Sequence, residues 1–226
     1  MTLADTPGTA AVPAPPRRRN VATDLALIAT FAALIAVCSI IPGISLGPAP
    51  LTLQTFAVIL AGAVLGANRG LLAVLLYLAV GAAGLPVFSG GTAGLAPFAG
   101  PTVGYLVAFP LAAWLTGFIV ERLPRQRIAT SIPLVFLAGL VANLVFIHTL
   151  GPLGLAWRAD MTVGAAFVFD LAFWPGDLVK TLLVALVATA VHRAFPGLLP
   201  ERRRANPASA AATAAPTAPA TPTTAE

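Results

Sequence analysis

Residues 173–180 read Phe173-Trp174-Pro175-Gly176-Asp177-Leu178-Val179-Lys180, and they open the last long apolar segment of the chain. Pro175 suits the first turn of a helix, so a new helix is predicted to begin here. Asp177 and Lys180, the only lysine, are three residues apart and share one face of that helix. An acid and a base at the mouth of an uncharged apolar helix indicate a functional site. The alternative is an ordinary helix terminus whose lysine extends towards water.

The composition is that of a membrane protein. Hydrophobic residues make up 58% of the chain and charged residues only 9%, whereas soluble domains carry about 25% charged residues. At about 20 residues per transmembrane helix plus loops, the length allows about six helices. Cys38 is the only cysteine, which excludes a disulfide framework. We therefore predict an all-α integral membrane protein, a bundle of six transmembrane helices.

Polar and apolar stretches divide the chain into three parts. Residues 1–20 form a basic tail and residues 196–226 an Ala/Pro/Thr-rich tail, both predicted to be disordered because they have little to bury. The membrane domain spans residues 21–195, with a tight turn predicted over 66–70. Residues 163–174 are too short to span and are expected at the outer interface. Six helical segments are predicted: 25–41, 51–66, 70–86, 102–120, 131–150 and 175–194.

Basic residues lie almost entirely on one side of such a bundle. Of the thirteen Lys and Arg residues, only Arg158, in a loop predicted over 151–162, falls outside, and Lys180 falls within the membrane. The positive-inside rule then predicts a multi-pass membrane protein with both termini in the cytoplasm. The net charge of +5 reflects this topology and indicates no nucleic-acid partner. The inner residues are Arg17, Arg18, Arg19, Arg69, Arg122, Arg125, Arg127, Arg193, Arg202, Arg203 and Arg204.

Strongly polar side chains of the predicted spans gather near the outer surface. Gln54 and Tyr105 begin their spans there, and Asn143 lies in the outer part of the fifth. Asp177 and Lys180 begin the sixth. A channel needs a polar lining through the whole membrane, so this distribution predicts a cup that is open outward and closed inward. Alternatively, each residue only bridges helices or faces headgroups.

The sequence carries no motif for catalysis, nucleotide binding or metal binding. A phosphate-binding loop reads G-x-x-x-x-G-K-[ST], but Val179 precedes the only lysine. His148 and His192 are predicted at opposite ends of different spans, with no Cys/His/Glu cluster around them. Serine-hydrolase and zinc-protease motifs are absent. We predict a protein that is not an enzyme and needs no metal or cofactor, and a cup of this kind would not transport anything by itself.

The first span carries a stripe of alanines at steps of three and four residues, and Ala32 extends it. A stripe of small residues allows another helix to approach closely in lipid. It predicts either a docking face for a partner or internal packing within the bundle. The stripe consists of Ala22, Ala26, Ala29, Ala33 and Ala36.

Four motifs follow one another along the chain. They are Pro48-Ala49-Pro50-Leu51-Thr52-Leu53-Gln54-Thr55, Gly81-Ala82-Ala83-Gly84-Leu85-Pro86-Val87-Phe88, Gly100-Pro101-Thr102-Val103-Gly104-Tyr105, and Pro175-Gly176-Asp177 with Lys180. Together they resemble the BioY family, the biotin-specific substrate-binding subunit of energy-coupling-factor transporters. The resemblance covers about residues 22–195.

This resemblance implies a six-helix bundle in the lipid bilayer that binds biotin from outside. It also implies docking, through small residues of the first helix, onto a transmembrane coupling subunit with two ATPase subunits. Asp177 and Lys180 match the family's polar binding pair, and the alanines of the first span match its docking face. Family members often carry Asn after the third span, where this chain reads Ser89-Gly90-Gly91-Thr92.

The chemistry of biotin fits the charged pair. A carboxylate removed from water needs a cation or several donors, and the N–H groups of the ureido ring need an acceptor. Lys180 is the cation and Asp177 the strongest acceptor, although both could gather at the ureido ring with loop amides at the carboxylate. The other candidate site residues are Asn143, Gln54 and Tyr105 for hydrogen bonds, and Phe88 or Trp174 for contact with the rings.

Two other functions stay open at this point. One is a subunit of the same architecture for another small vitamin, although thiamine would favour acids and aromatics over Lys180. The other is a non-transporting membrane scaffold whose polar cluster only joins helices. Ligand binding to the purified protein discriminates all three.

The topology can be tested by cysteine labelling in a Cys38→Ala background. Single cysteines at Gly91 and Arg158 are expected to react with an impermeant reagent added outside intact cells, because both positions are predicted to face outward. A cysteine at Gln126, in a predicted inner loop, is expected to react only after permeabilisation. External labelling at Gln126 would contradict the six-span arrangement.

Overall fold

The computed structural model describes residues 21–128 and 130–199 and is mostly helical. The predicted tails lie outside the described residues, apart from residues 196–199. In chain order the helices are α1 (Val21–Ile40), α2 (Gln54–Leu65), α3 (Ala67–Ala82), α4 (Ala96–Ala99), α5 (Val103–Arg122), α6 (Arg125–Ile128), α7 (Ile132–Ala142), α8 (His148–Arg158), α9 (Val163–Asp170) and α10 (Trp174–Ala194). A 3₁₀ turn covers Ser89–Gly91. The strands β1 (Ile44–Ser45) and β2 (Pro50–Leu51) form a small antiparallel hairpin.

Each predicted apolar segment contains a helix, but some boundaries differ. Residues 51–53 lie outside α2, and Leu51 pairs with Ile44 in the hairpin instead. The tight turn predicted over residues 66–70 is wrong, because Gly66 alone separates α2 from α3. The φ angle of Gly66 is 86°, in the left-handed region that favours glycine. The chain therefore reverses direction between two helices at a single residue.

The fifth segment is longer than the sequence predicts. It is helical from Ile132 to Arg158, so the loop predicted over residues 151–162 is wrong up to residue 158. A π-helical turn over Asn143–Ile147 interrupts it, and Pro152 lies inside α8. A π turn contains one extra residue, which rotates the side chains after it around the helix axis. His148, the first residue of α8, takes its direction from that turn.

Among the described residues, four helices are long and apolar enough to cross a membrane: α1, α5, the combined α7–α8 helix and α10. The apolar helices α2 and α3 have 12 and 16 residues, fewer than the roughly 17–25 residues of a typical span. The chain is therefore a multi-pass helical membrane protein, and six crossings stay a prediction. Helix α9 has only eight residues, which agrees with the expectation that this segment does not span.

Three contacts gather helix ends at one end of the bundle. Arg69, near the start of α3, forms an ion pair with Asp24 at the start of α1. Arg69 also donates to the carbonyl of Leu198, beyond α10, at 2.8 Å. Glu121, at the end of α5, accepts from the backbone N–H of Ala67 at 2.9 Å. The starts of α1 and α3 therefore lie beside the ends of α5 and α10, as the predicted topology requires.

Helix α2 forms the centre of the bundle. Ten of its twelve residues are buried, and it packs against α1, α3, α5, α7 and α10. Gly62 lies against the backbone of α5 at Ala113, where a Cβ atom would clash. This close approach suits small residues in membrane bundles. Because α2 is central, its first residues, Gln54 and Thr55, lie in the middle of the opposite end of the bundle.

Candidate functional site

A cavity of about 400 Å³ lies at the end of the bundle where α2, α5 and α10 begin. Residues near the starts of these helices, residues 48–52 and several residues between 88 and 102 form its wall, together with Ile147 and Phe173. Ligand pockets in proteins typically measure about 300–1,000 Å³, so the cavity has the size of a small-molecule site. Most wall residues are apolar. The polar ones are Thr52, Gln54, Thr55, Ser89, Thr92, Thr102, Tyr105, Asp177 and Lys180.

The charged pair of α10 lies in this wall and is buried. Asp177 is 4% exposed and Lys180 is 8% exposed, so the alternative of a lysine extending towards water is wrong. The Nζ of Lys180 donates to Oδ1 of Asp177 at 2.8 Å. The hydroxyl of Thr55 donates to the same oxygen at 2.9 Å and accepts from Nζ at 3.1 Å. Helices α2 and α10 therefore meet where the Asp177 carboxylate, the Lys180 ammonium group and the Thr55 hydroxyl contact one another.

A second group of polar side chains lies behind Asp177. Asp170, at the end of α9, accepts from the hydroxyl of Tyr105 at 2.8 Å and from Nε1 of Trp174 at 3.2 Å. Nδ1 of His148 lies 2.7 Å from the same carboxylate. Nε2 of His148 lies 3.7 Å from Oδ2 of Asp177. Neither Asp170 nor His148 is among the wall residues of the cavity, yet both connect to it.

Sequence reasoning missed both of these residues. The sequence places no Cys, His or Glu cluster around His148, but in the fold its ring nitrogens lie beside the carboxylates of Asp170 and Asp177. Asp170 could have been recognised from the sequence, because an acid inside the apolar stretch 163–174 is costly in a membrane and so indicates a functional residue. The contact itself depends on the π turn before His148, which the sequence pattern does not reveal.

Gln54 lines the cavity but has protein partners at both ends of its amide. Its Nε2 donates to the hydroxyl of Tyr77 at 2.8 Å, and its Oε1 accepts from Thr52 at 3.0 Å. The hydroxyl of Tyr77 in turn donates to Oγ of Ser39 at 3.1 Å. This chain of hydrogen bonds connects α2 with α3 and α1. The buried amide is therefore held in one orientation at the cavity wall.

The predicted site residues divide into two groups. Asn143 is buried away from the cavity wall: its Nδ2 donates to Thr181 at 2.8 Å, and Oδ1 has no hydrogen-bond partner among the described residues. Trp174 is also outside the wall, where its ring lies 5.2 Å from that of His148. Neither residue is therefore placed to contact a ligand in the cavity. The predicted residues that line the cavity are Gln54, Phe88, Tyr105, Asp177 and Lys180.

The alanine stripe of α1 lies on the outside of the bundle. Ala22, Ala26, Ala29 and Ala33 are exposed, and Ala36 is half-buried. Internal packing, the alternative reading of the stripe, is therefore wrong for its first four members. Ala32 does not extend the exposed stripe, because it is 7% exposed and belongs to the core.

A multi-pass helical bundle with a ligand-sized cavity and a buried ion pair defines a membrane-embedded binding protein. The model of the BioY family matches residues 10–197, and the chain belongs to this family. The Rhizobium etli biotin transporter BioY is 44% identical, over 79% of this chain and 97% of the relative. The corresponding Rhodobacter capsulatus transporter is 42% identical, over 79% and 98%.

A solved structure gives the same result for the fold. The crystal structure of the S-component for biotin from an ECF-type ABC transporter has a TM-score of 0.72 to this chain at 27% identity. The match covers 80% of this chain and 95% of the other. These relatives are transporters, so the predicted family and the prediction that the chain is not an enzyme are confirmed.

We expect the contributions of Asp177 and Lys180 to the free energy of unfolding to depend on each other. Lys180→Met leaves a buried carboxylate without its ammonium partner, which should cost roughly 3 kcal/mol in the free energy of unfolding. The double variant Asp177→Asn/Lys180→Met should recover much of that loss, because no unpaired charge remains. The free energies of unfolding of wild type, the two single variants and the double variant form a double-mutant cycle. They can be measured on the ligand-free protein in detergent, with circular dichroism as the probe of unfolding. Additive losses in the double variant would show that the two side chains are independent.

Proposed function

We propose that this chain is the biotin-binding subunit of a vitamin importer, and that biotin binds in the cavity between α2, α5 and α10. The observation that carries the proposal is the buried pair of Asp177 and Lys180, bonded to the half-buried Thr55, in the wall of a ligand-sized cavity. Membership of a family whose named relatives are biotin transporters supports the identity of the ligand.

The wall suits the two chemical halves of biotin. Its apolar residues, among them Phe88, Phe109 and Phe173, can cover the bicyclic ring and the aliphatic chain. Lys180 provides a cation for the carboxylate or for the ureido oxygen, and Asp177 provides an acceptor for the ureido N–H groups. Thr55 and Tyr105 add hydroxyl groups on the same wall. A comparison of biotin with its methyl ester decides which end of biotin contacts the charged pair.

The direction of transport follows from topology. With six crossings and cytoplasmic termini, the end that holds Arg69, Glu121 and Leu198 is cytoplasmic, and the cavity opens outward. The arrangement of helix ends supports this assignment, because both ends of the six-helix path meet near Arg69. The chain would then capture biotin at the outer face of a bacterial cytoplasmic membrane.

Delivery into the cell requires an energy source, and we assign that source to other subunits. The sequence of this chain has no phosphate-binding loop. A transmembrane coupling subunit with two ATPase subunits would supply the energy, and the exposed alanine stripe of α1 is where that subunit would dock. Small residues let the backbones of two helices approach closely in lipid.

Biotin binding and its assignment can be measured with radiolabelled biotin on the purified protein. Loss of one partner of a desolvated charged contact costs about 2–5 kcal/mol, so Lys180→Met and Asp177→Asn should each weaken binding roughly 30-fold or more. Wild type should prefer biotin to biotin methyl ester. If Lys180 holds the carboxylate, Lys180→Met should lose that preference.

The matched control is Thr189→Val, on the same helix. Thr189 is buried away from the cavity, and its Oγ1 has no hydrogen-bond partner in the described part of the chain. This variant should bind biotin like wild type. Absence of biotin binding by wild type would refute the proposed function, whereas tight binding by Lys180→Met would refute only the assignment of the site.

The docking face can be tested by adding bulk to the stripe. Ala29→Trp and Ala33→Trp should reduce biotin uptake by cells while purified protein binds biotin normally, because both side chains are exposed and α1 contributes no residue to the cavity wall. Leu186→Trp, at an exposed position of α10, is the control and should leave uptake unchanged. Equal loss of binding and uptake would mean that the stripe serves the fold instead.

A further inference from the structure

Helix α3 contributes no residue to the cavity wall, although all sixteen of its residues are described. Two residues of its buried face, Tyr77 and Gly81, nevertheless contact wall residues from behind. They are four residues apart and therefore lie one above the other on the helix. Tyr77 is 1% exposed, and Gly81 is also buried. An effect of α3 on a ligand must therefore pass through the wall residues that these two contact.

The hydroxyl of Tyr77 sets the orientation of the Gln54 amide. It donates to Oγ of Ser39 at 3.1 Å and accepts from Nε2 of Gln54 at 2.8 Å. Because the hydroxyl has a single proton, which Ser39 accepts, it presents lone pairs to Gln54. At the other end, Thr52 accepts from the backbone N–H of Gln54 at 3.4 Å and donates to Oε1 at 3.0 Å. The amide is therefore fixed from both ends.

The amide of Gln54 keeps hydrogen-bonding capacity for a ligand. A side-chain amide has two N–H donors and two lone pairs on its oxygen. Tyr77 takes one N–H and Thr52 takes one lone pair, which leaves one donor and one acceptor on a side chain that lines the cavity. Rotation of the amide by half a turn would exchange their positions. The orientation that Tyr77 sets therefore decides which polar group of a ligand Gln54 can bind.

The ring of Phe88 packs directly on the backbone of α3 at Gly81. A Cβ atom added to residue 81 would clash with the far end of that ring, so the ring fits because residue 81 has no side chain. The edges of Tyr77 and Phe98 also contact it, with 5.5 and 5.6 Å between ring centroids. Such edge-to-face pairs are favourable. Phe88 is 2% exposed and lines the cavity, so α3 determines where this ring lies.

The segment after α3 depends on the same contact. The backbone N–H of Gly94 donates to the carbonyl of Gly81 at 2.8 Å, and the backbone N–H of Phe88 donates to the carbonyl of Thr92 at 3.1 Å. Thr92 and several residues between 96 and 102 line the cavity. A displacement of the Phe88 ring would therefore move part of the wall.

We propose that Tyr77 and Gly81 are positioning residues for the ligand. Tyr77 sets the donor and the acceptor that Gln54 offers, and Gly81 makes room for the Phe88 ring, against which the apolar part of the ligand packs. The effect on binding rests on the proposed biotin function, whereas the orientation of the Gln54 amide is a property of the ligand-free protein. Biotin suits this division, because its ureido ring offers donors and an acceptor while the rest of its body is apolar.

The bond between Tyr77 and Gln54 can be measured without any ligand. The chain has two glutamines, so protein labelled with ¹⁵N in its glutamine side chains shows two amide groups by NMR, and Gln54→Met identifies the signals of Gln54. The Nε2 proton bonded to Tyr77 is expected to exchange slowly with solvent in wild type and faster in Tyr77→Phe. Equal exchange in the two proteins would overturn the role of Tyr77, whatever the protein binds.

The effect of the hydroxyl on binding is tested with radiolabelled biotin. Tyr77→Phe keeps the ring and should weaken binding about 3- to 10-fold, the range expected for one hydrogen bond. In a Gln54→Met background the same substitution should change affinity less than about twofold, since Tyr77 acts through that amide. A general loss of packing would weaken binding equally in both backgrounds. Thr116→Val, which removes a buried hydroxyl bonded to Ala112 within α5, is the matched control and should bind biotin like wild type.

The contact between Gly81 and Phe88 is tested by a second cycle. Gly81→Ala should displace the Phe88 ring and weaken biotin binding about tenfold, the effect of added bulk in a packed site. Phe88→Leu should weaken binding by itself, but its shorter side chain leaves room for the added methyl group. Gly81→Ala should therefore cost much less in the Phe88→Leu background. An equal loss in both backgrounds would show that Gly81 does not act through Phe88.

The outcomes separate the two proposals. If wild type binds biotin and either Tyr77→Phe or Gly81→Ala binds it equally well, the positioning role of that residue is overturned and the proposed function stands. Absence of biotin binding by wild type would refute the proposed function, and the exchange measurement would still decide whether Tyr77 holds the Gln54 amide.

Discussion

The ion pair between Asp177 and Lys180, removed from water at the mouth of α10, is the constraint on which the rest of the site depends. Such a pair is tolerated only where further hydrogen bonds satisfy it. Thr55 of the central helix α2 supplies the first of these by bonding to both partners. The position of α2 in the bundle and the geometry of the cavity wall are therefore linked through one hydroxyl.

The second layer of polar residues extends this constraint into the fold. Asp170 has hydrogen-bond partners on α5, α8 and α10, so helices that are distant in sequence meet at one carboxylate. Gln54 and Tyr77 do the same for α1, α2 and α3. The apolar part of the cavity wall leaves room for a ligand. These two networks hold the polar side chains of the wall in place before a ligand binds. Such preorganisation lowers the free-energy cost of ordering the site when a ligand binds.

Much of this site could be predicted from the sequence, because the strongest signals were local. Pro175 marks the start of α10, and the spacing of Asp177 and Lys180 places them on one face. The loop predicted over residues 151–162 contains Gly151, Pro152 and Gly154, residue types that weaken or break helices in water. In the bundle, Gly151 packs against the ring of Tyr105 and Gly154 against Gly104, and local π adjustments accommodate proline in membrane helices. The partnership of His148 with Asp170 depends on that irregularity, so no sequence period could reveal it.

A crystal structure of the protein purified with biotin tests the central claim most directly. The account predicts biotin in the cavity between α2, α5 and α10, with a polar end of the ligand within hydrogen-bonding distance of Asp177 or Lys180 and its rings against apolar residues of the wall. It also predicts that His148 and Asp170 keep their contact behind the wall. Biotin bound elsewhere on the protein, or bound in the cavity without a polar contact to Asp177, Lys180 or Thr55, would contradict the account.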